Sequence, residues 1–194
     1  HIEVWRAIAG GPDEAALILE DDVHLSPDFP VFWKTLSIDL DEICIHRLET
    51  FLARVTLERA PAFQAHARRA HKLLTNHAGG AAYVLNKATA KTLLTLIDRF
   101  QNNVDVELFD PERGAARAVT TYQWMPALCI QDQRVGRGAK GFASNIPERA
   151  DIDSGLYEDN RREPLKDRLR PIYTMAYDWA LAPFGRARRF VPYR

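Results

Sequence analysis

The chain has 194 residues, of which 46% are apolar and 27% charged, and this is enough for one folded domain with its own core. Its 26 basic and 26 acidic side chains balance, so no overall positive field attracts nucleic acid. The two cysteines lie in apolar stretches, and no signal peptide or run of roughly 18 apolar residues is present. Composition therefore predicts a cytoplasmic protein with two buried free thiols, Cys44 and Cys129.

Hydrophobic periodicity predicts helices and strands in alternation. In chain order they are a helix over 2–9, a strand over 15–19, a helix from Ser26, strands over 42–48 and 79–85, a helix over 87–100 and a β-prone stretch over 118–130. The five apolar residues 15–19 are typical of a strand buried on both faces. Ser26 and Asn86 are predicted N-caps, whereas residues 50–76 give no clear pattern. This alternation predicts an α/β fold with a mostly parallel sheet.

Three carboxylates, Glu20, Asp21 and Asp22, follow the predicted strand 15–19. Carboxylates placed so closely repel one another unless a cation lies among them. In open α/β sheets ligands bind beyond the carboxyl ends of strands, and oxygen ligands suit Mg²⁺ or Mn²⁺ completed by substrate phosphates. The sequence therefore favours equally a metal and phosphate site and an acidic corner facing water.

Other polar residues are weaker candidates. Asp105 follows the periodic helix, where a carboxylate is either a helix N-cap or a general base. His66, His71 and His77 are spaced by five and six residues, which does not place three imidazoles on one helical face for a metal. Their basic surroundings favour a solvated helix face over a loop that contacts a diphosphate.

The two ends of the chain differ in charge. Residues 1–150 carry the predicted α/β pattern, whereas 151–194 form a separate segment that, from Arg161 to the end, has nine basic and three acidic side chains interleaved with aromatic ones. Such a segment either packs back on the domain or contacts an anionic membrane surface. The second alternative places the protein peripherally on the inner face of the inner membrane.

Four short motifs, in order, resemble those of glycosyltransferase family 25, the lipopolysaccharide glycosyltransferases related to collagen galactosyltransferases. The matching segments are Leu17–Val23 preceded by His1 and Trp5, Gly79–Leu85 followed by Ala90, Leu93 and Leu94, Val104-Asp105, and Pro126 with Gln131 and Ser144-Asn145-Ile146. Asn145 stands where aspartate is commoner in the family. The resemblance covers residues 1–146.

The resemblance implies a GT-A-like fold and inverting transfer of a sugar, commonly galactose, from a UDP-sugar to a saccharide or lipopolysaccharide acceptor. It implies a role for each candidate residue. In the acidic motif, Asp22 is expected to bind Mn²⁺ or Mg²⁺ directly, Glu20 to bind it through water or to contact the ribose, and Asp21 to be a further member of the donor motif. Asp105 is expected to act as the base or to position the acceptor. Gly80 and Tyr83 are expected to line the sugar pocket, and Gln131 to orient the substrate.

One departure from the family is the absence of its first strand, which carries an Ile-Asn-Leu…Arg segment, and of the elements after it. Either the sequence is a fragment of a longer protein, or the protein is a shortened paralogue with a partial donor site. In the second case we expect an N-terminally shortened fold that dimerises through its exposed sheet or binds nucleotide weakly. Two other functional classes remain open: a non-catalytic saccharide- or membrane-binding module, and a metal-dependent phosphohydrolase.

Overall fold

The computed structural model describes residues 1–112, 114–135 and 182–194. The helices are α1 (Ile2–Gly10), α2 (Phe29–Thr35), α3 (Lys87–Leu96) and α4 (Val104–Phe109). The strands are β1 (Ala15–Leu19), β2 (Val23–Leu25), β3 (Cys44–Arg47), β4 (Arg54–Glu58), β5 (Phe63–Ala65), β6 (Arg68–Lys72), β7 (Ala82–Asn86), β8 (Thr120–Met125), β9 (Cys129–Gln131) and β10 (Arg186–Phe190). The predicted α/β class is confirmed.

A six-stranded mixed sheet organises the fold, in the order β1-β7-β3-β8-β6-β5. Only β3 and β8 pair in parallel, and the other four neighbouring pairs are antiparallel. The expectation of a mostly parallel sheet is therefore wrong for the described strands. The strand 15–19 is also not buried on both faces, because β1 is an edge strand in which only Ile18 is buried. Its run of apolar residues nevertheless identified the strand itself.

Hydrophobic cores lie on both faces of the sheet, and β7 contributes side chains to both cores. Because side chains alternate along a strand, Tyr83 and Leu85 enter the core under α1, α3 and α4, and Ala82 and Val84 enter the core under α2. Trp5 anchors the first core and is fully buried. Burial of a large apolar side chain of this kind contributes about 1.5–3 kcal/mol. The two helical layers thus hold β7, and the turn before it, in a fixed position.

Replacing Asn86 with alanine is expected to lower the free energy of unfolding by about 2–4 kcal/mol, because Asn86 makes four hydrogen bonds from a buried site. Its Oδ1 accepts from the Thr89 amide at 2.7 Å as the predicted cap of α3, and its Nδ2 donates to three carbonyls of residues 39–42. Urea unfolding measures the loss. Asn103→Ala is the control, since Asn103 precedes α4 without a side-chain cap bond. Equal losses in the two variants would contradict this account.

Three strands, β4, β5 and β6, occupy the stretch 50–76 that gave no pattern. His71 therefore lies on a strand and His77 in a buried loop, so the expectation of a helix face for the histidines is wrong. The helix from Ser26 begins later than expected, at Phe29. Its N-cap is Asp28, to which the Ser26 hydroxyl donates.

The described part of the C-terminal segment, 182–194, packs on the domain. Its strand β10 pairs antiparallel with β4, and the fully buried Val191 joins a small core with Val55 and Leu57. The remainder of the predicted segment, 151–181, lies outside the described residues. Both cysteines are buried and free, as expected. No helix in the described ranges is long and apolar enough to cross a membrane.

Candidate functional site

The acidic segment leaves the end of β1 and is tied to neighbouring strands through its backbone. The Glu20 amide donates to the Ala81 carbonyl at 2.8 Å, and the Asp22 carbonyl accepts from the Asp132 amide at 2.8 Å. The side chains of Glu20 and Asp22 are half-buried, whereas Asp21 is exposed. Two of the three carboxylates are therefore half-buried, and the third faces solvent.

Glu20 is held on both of its oxygens. Gln131 donates from Nε2 to Oε2 at 3.0 Å, because Gln131 on β9 lies opposite Val23 on β2. His1 Nε2 lies 3.4 Å from Oε1. The structure thus brings together Glu20 and Gln131, two of the residues singled out from the sequence, which stand 111 positions apart.

Tyr83 is fully buried and is connected to Glu20 through the His1 ring. Its hydroxyl accepts a hydrogen bond from Trp5 Nε1 at 2.9 Å and lies 2.8 Å from His1 Nδ1, on the ring whose other nitrogen faces Glu20. Gly80 is buried as well, and a Cβ there would lie 2.9 Å from a methyl group of Val104. The lining of a sugar pocket by Gly80 and Tyr83 stays a prediction.

Asp105 lies in the first turn of α4 rather than at its cap, which is Asn103. Its Oδ2 accepts from the Gly79 amide at 3.0 Å, and its Oδ1 accepts from the Val106 amide at 2.9 Å. The carboxylate is therefore joined to the glycine turn that precedes β7. The predicted motif residues 79–80 and 105 thus meet in space.

Glu49 is the principal polar residue of this region that sequence reasoning did not single out. It is fully buried, and its Oε2 accepts from the Ala81 amide at 2.7 Å and lies 3.9 Å from Arg47 Nη2. Burial raises the pKa of Glu49 to about 7, against the opposing effect of Arg47, and the charges of Glu20 and Asp22 act in the same direction as burial. Glu49 is therefore electrostatically part of the acidic site. The Arg-x-Glu spacing after an apolar strand was the available signal.

Glu49 is expected to make the free energy of unfolding fall as the pH rises from 4.5 to about 7. The lower value is the ordinary pKa of a glutamate, and the upper value is the pKa of Glu49 in the folded chain. Between these values the unfolded chain releases a proton that the folded chain retains, so the unfolded state binds fewer protons and stability decreases. Glu49→Gln cannot titrate. Its stability relative to wild type should therefore rise by about 3 kcal/mol across this range. Urea unfolding at several pH values measures this, and a constant difference would contradict it.

A histidine and an arginine complete the surroundings. His24 on β2 lies with Nε2 2.6 Å from Asp132 Oδ1. The Arg134 guanidinium stands 4.4 Å above the ring of Phe51, which also contacts Gly79. The His24–Asp132 pair lies beside Asp22, whose carbonyl accepts from the Asp132 amide, and the Arg134 cation lies beside the glycine turn.

The type and number of ligand atoms in this site indicate which metal ion it could bind. Among the described residues, no three histidine, cysteine, aspartate or glutamate side chains stand close enough to hold a metal by themselves. Glu20 and Asp22 together match the one or two carboxylates with which Mg²⁺ or Mn²⁺ is bound when substrate phosphates supply the rest. The donor set therefore fits an ion that arrives with a nucleotide. The Ser144-Asn145-Ile146 motif lies outside the described residues.

Comparison with known proteins gives consistent matches. The chain is 28% identical to the lipooligosaccharide biosynthesis protein lex-1 of Haemophilus influenzae over an alignment of 184 residues that covers 89% of this chain and 59% of lex-1. It is 25% and 26% identical to the lacto-N-neotetraose biosynthesis glycosyltransferases LgtE of Neisseria meningitidis and Neisseria gonorrhoeae, covering 97% of this chain and 68% of each relative. The profile described as "Glycosyltransferase family 25 (LPS biosynthesis protein)" matches residues 1–108, more than half of the chain. The chain therefore belongs to glycosyltransferase family 25.

Proposed function

We propose that this chain carries the donor site of a metal-dependent glycosyltransferase. The enzyme would transfer a sugar, galactose in the first instance, from a UDP-sugar to a lipopolysaccharide or other saccharide acceptor with inversion at the anomeric carbon. The observation that carries the proposal is the half-buried pair of carboxylates, Glu20 and Asp22, beside Gln131 in a member of family 25. A GT-A-like arrangement is part of the same proposal.

Asp22 would bind Mn²⁺ or Mg²⁺ directly, and Glu20 would contact it through water or bind the donor ribose. When bound, the ion would supply Lewis-acid neutralisation of the negative charge that develops on the departing diphosphate. Gln131 fixes the orientation of the Glu20 carboxylate at 3.0 Å, whichever of these contacts Glu20 makes. Arg134, stacked on Phe51 beside the glycine turn, adds positive charge near the diphosphate.

Asp105 is the proposed base or acceptor-positioning group. Each of its oxygens accepts a hydrogen bond from a backbone amide, Gly79 or Val106, so the carboxylate is fixed in place at the start of α4. Both oxygens are therefore engaged by the backbone of the protein itself. This arrangement supports the positioning role for Asp105 more than the role of base.

Product analysis tests the proposal. The chain is incubated with UDP-galactose, Mn²⁺ and an oligosaccharide acceptor, and mass spectrometry detects the added hexose. Treatment of the product with α- and β-specific galactosidases then reports the anomer, and inversion predicts the β product. Metal-independent binding of the saccharide without transfer would instead identify a binding module. Hydrolysis of simple phosphate esters without transfer would identify a phosphohydrolase.

The ribbon formed by β4 and β10 is the proposed contact with a membrane surface. Arg54 pairs with Phe190 and Glu58 with Arg186, so these side chains lie on one face, and all four are exposed. Phe184, at the start of the ribbon, is 73% exposed. Arginine and phenylalanine side chains on one surface suit the interface of an anionic bilayer. Dimerisation through the sheet edge at β1 stays a separate prediction.

The double variant Arg54→Glu/Arg186→Glu is expected to bind vesicles containing anionic lipid at least tenfold more weakly. Each basic residue near such a surface contributes about 1 kcal/mol, and charge reversal adds repulsion. Co-sedimentation with vesicles at several lipid concentrations measures the effect. Arg99→Glu is the matched control, since Arg99 is exposed in the loop after α3. An equal effect of the two changes would argue against this surface.

A further inference from the structure

Glu49 is a buried carboxylate with no role in the chemistry proposed above. Its side chain has 0% of its area exposed, and its Oε1 makes no hydrogen bond within the described part of the chain. Charged side chains are almost never buried this completely unless they are paired, and an unsatisfied buried oxygen costs free energy. The arrangement around Glu49 therefore needs an explanation beyond packing.

The backbone of Ala81 connects Glu49 to the acidic segment. The Ala81 amide donates to Glu49 Oε2 at 2.7 Å, and the Ala81 carbonyl accepts from the Glu20 amide at 2.8 Å. The two hydrogen bonds lie in series across one residue. The position of the Glu49 carboxyl group therefore sets the position of the backbone that carries Glu20.

Two further charged side chains hold the turn that precedes Ala81. Arg47 is fully buried and donates to the carbonyls of His77 and Ala78, and Asp105 accepts from the Gly79 amide at 3.0 Å. Arg47 also lies 3.9 Å from Glu49, which links the two anchors. One arginine and two carboxyl side chains, Arg47, Asp105 and Glu49, thus hold backbone groups of residues 77, 78, 79 and 81.

Gly79 places this turn in close contact with the Glu49 side chain. It has φ +93°, and a Cβ at this position would lie 2.5 Å from Glu49 Oε1. Only glycine allows both the backbone conformation and the close approach. The turn therefore packs directly against the Glu49 carboxyl group.

We propose that Glu49 is a positioning residue of the donor site, which holds the turn 77–81 and, through Ala81, the Glu20 backbone in the geometry that receives a nucleotide-sugar and its divalent ion. This inference rests on the proposed function, because it assigns Glu49 to the same site. Glu49 itself contacts neither donor nor ion. Its side chain acts through hydrogen bonds, so a neutral isostere should replace it.

Three variants test the assignment by hydrogen exchange and by calorimetric titration of UDP-galactose with Mn²⁺, well below each melting temperature. Glu49→Ala should speed amide exchange in the peptides covering 19–22 and 77–82 and weaken donor binding about 10- to 100-fold, the usual loss when a supporting contact of a site is removed. Glu49→Gln, which keeps an acceptor for Ala81, should restore slow exchange and affinity to within about threefold. Thr50→Val is the control, because Thr50 is equally buried but bonds the Val191 carbonyl and the Leu52 amide.

The outcomes separate this assignment from the proposed function. Unchanged exchange in both peptides of Glu49→Ala overturns the positioning role whether or not donor binds. If the wild type binds donor, an equal donor affinity of Glu49→Ala also overturns the positioning role. Failure of the wild type to bind any UDP-sugar contradicts the proposed function, and exchange then decides alone whether Glu49 holds the turn. A Thr50→Val loss as large as that of Glu49→Ala would reduce Glu49 to a stabilising role and overturn the assignment.

Discussion

Asparagine in place of Asp22 will reduce sugar transfer by at least about 100-fold. The change keeps the shape of the side chain and removes its negative charge, on which direct coordination of Mn²⁺ or Mg²⁺ depends. An ion that stabilises a departing diphosphate contributes several kcal/mol to the transition state, and 2.7 kcal/mol corresponds to about 100-fold. Steady-state transfer from UDP-galactose measures the loss as a function of metal concentration.

Asp21→Asn is the matched control for this change. Asp21 is the neighbouring carboxylate in sequence, but its side chain is exposed, whereas Asp22 is half-buried. We expect the Asp21 variant to lose less than about tenfold through the weakened local field alone. Equal losses in the two variants would mean that the acidic segment acts as a diffuse charge and holds no ion through Asp22.

Alanine in place of Gly79 is expected to lower the free energy of unfolding by about 2–5 kcal/mol. The left-handed conformation costs a residue with a side chain about 1–3 kcal/mol, and overpacking of a filled site costs a similar amount. The added methyl group would meet Glu49 Oε1 at 2.5 Å and Phe51 Cε2 at 2.6 Å. Glu49 cannot move aside easily, because it is buried and bound to Ala81.

Thermal unfolding should show the Gly79→Ala loss as a melting temperature lower by roughly 5–15 °C. Gly10→Ala is the control, since Gly10 ends α1 with nothing within 4 Å of an added Cβ. Alanine is favoured over glycine in a helix by up to about 1 kcal/mol, so this variant should be neutral or slightly more stable. A Gly79 variant as stable as wild type would show that the turn is not seated on Glu49.

Local periodicity was enough to locate the elements that lie next to the site. The apolar run 15–19 became β1, and Asn86 caps α3 as expected, because both signals act within a few residues. The strands β4 to β6 were not visible, since β6 is rich in arginine, histidine and lysine, β5 has only three residues, and the partners of β4 and β6 are distant in the sequence. For β6 that partner is β8, more than 40 residues away.

Strand direction and buried charge were the features that the sequence pattern did not reveal. The apolar run of β1 indicated a strand buried on both faces, whereas β1 is an antiparallel edge strand beside β7. The burial of Glu49 depends on its contact with Ala81, which lies 32 residues away along the chain. The Arg-x-Glu spacing after the strand indicates an ion pair, but no local signal indicates that the pair is buried.

The central claim is that Glu20 and Asp22 form a metal-dependent site for a UDP-sugar. Calorimetric titration of UDP-galactose and of UDP into the purified chain, with and without Mn²⁺, tests it most directly. We predict saturable binding of both that requires Mn²⁺ and is lost in Asp22→Asn but kept in Asp21→Asn. Binding that is indifferent to the metal and to Asp22, or no binding under any of these conditions, would contradict the claim.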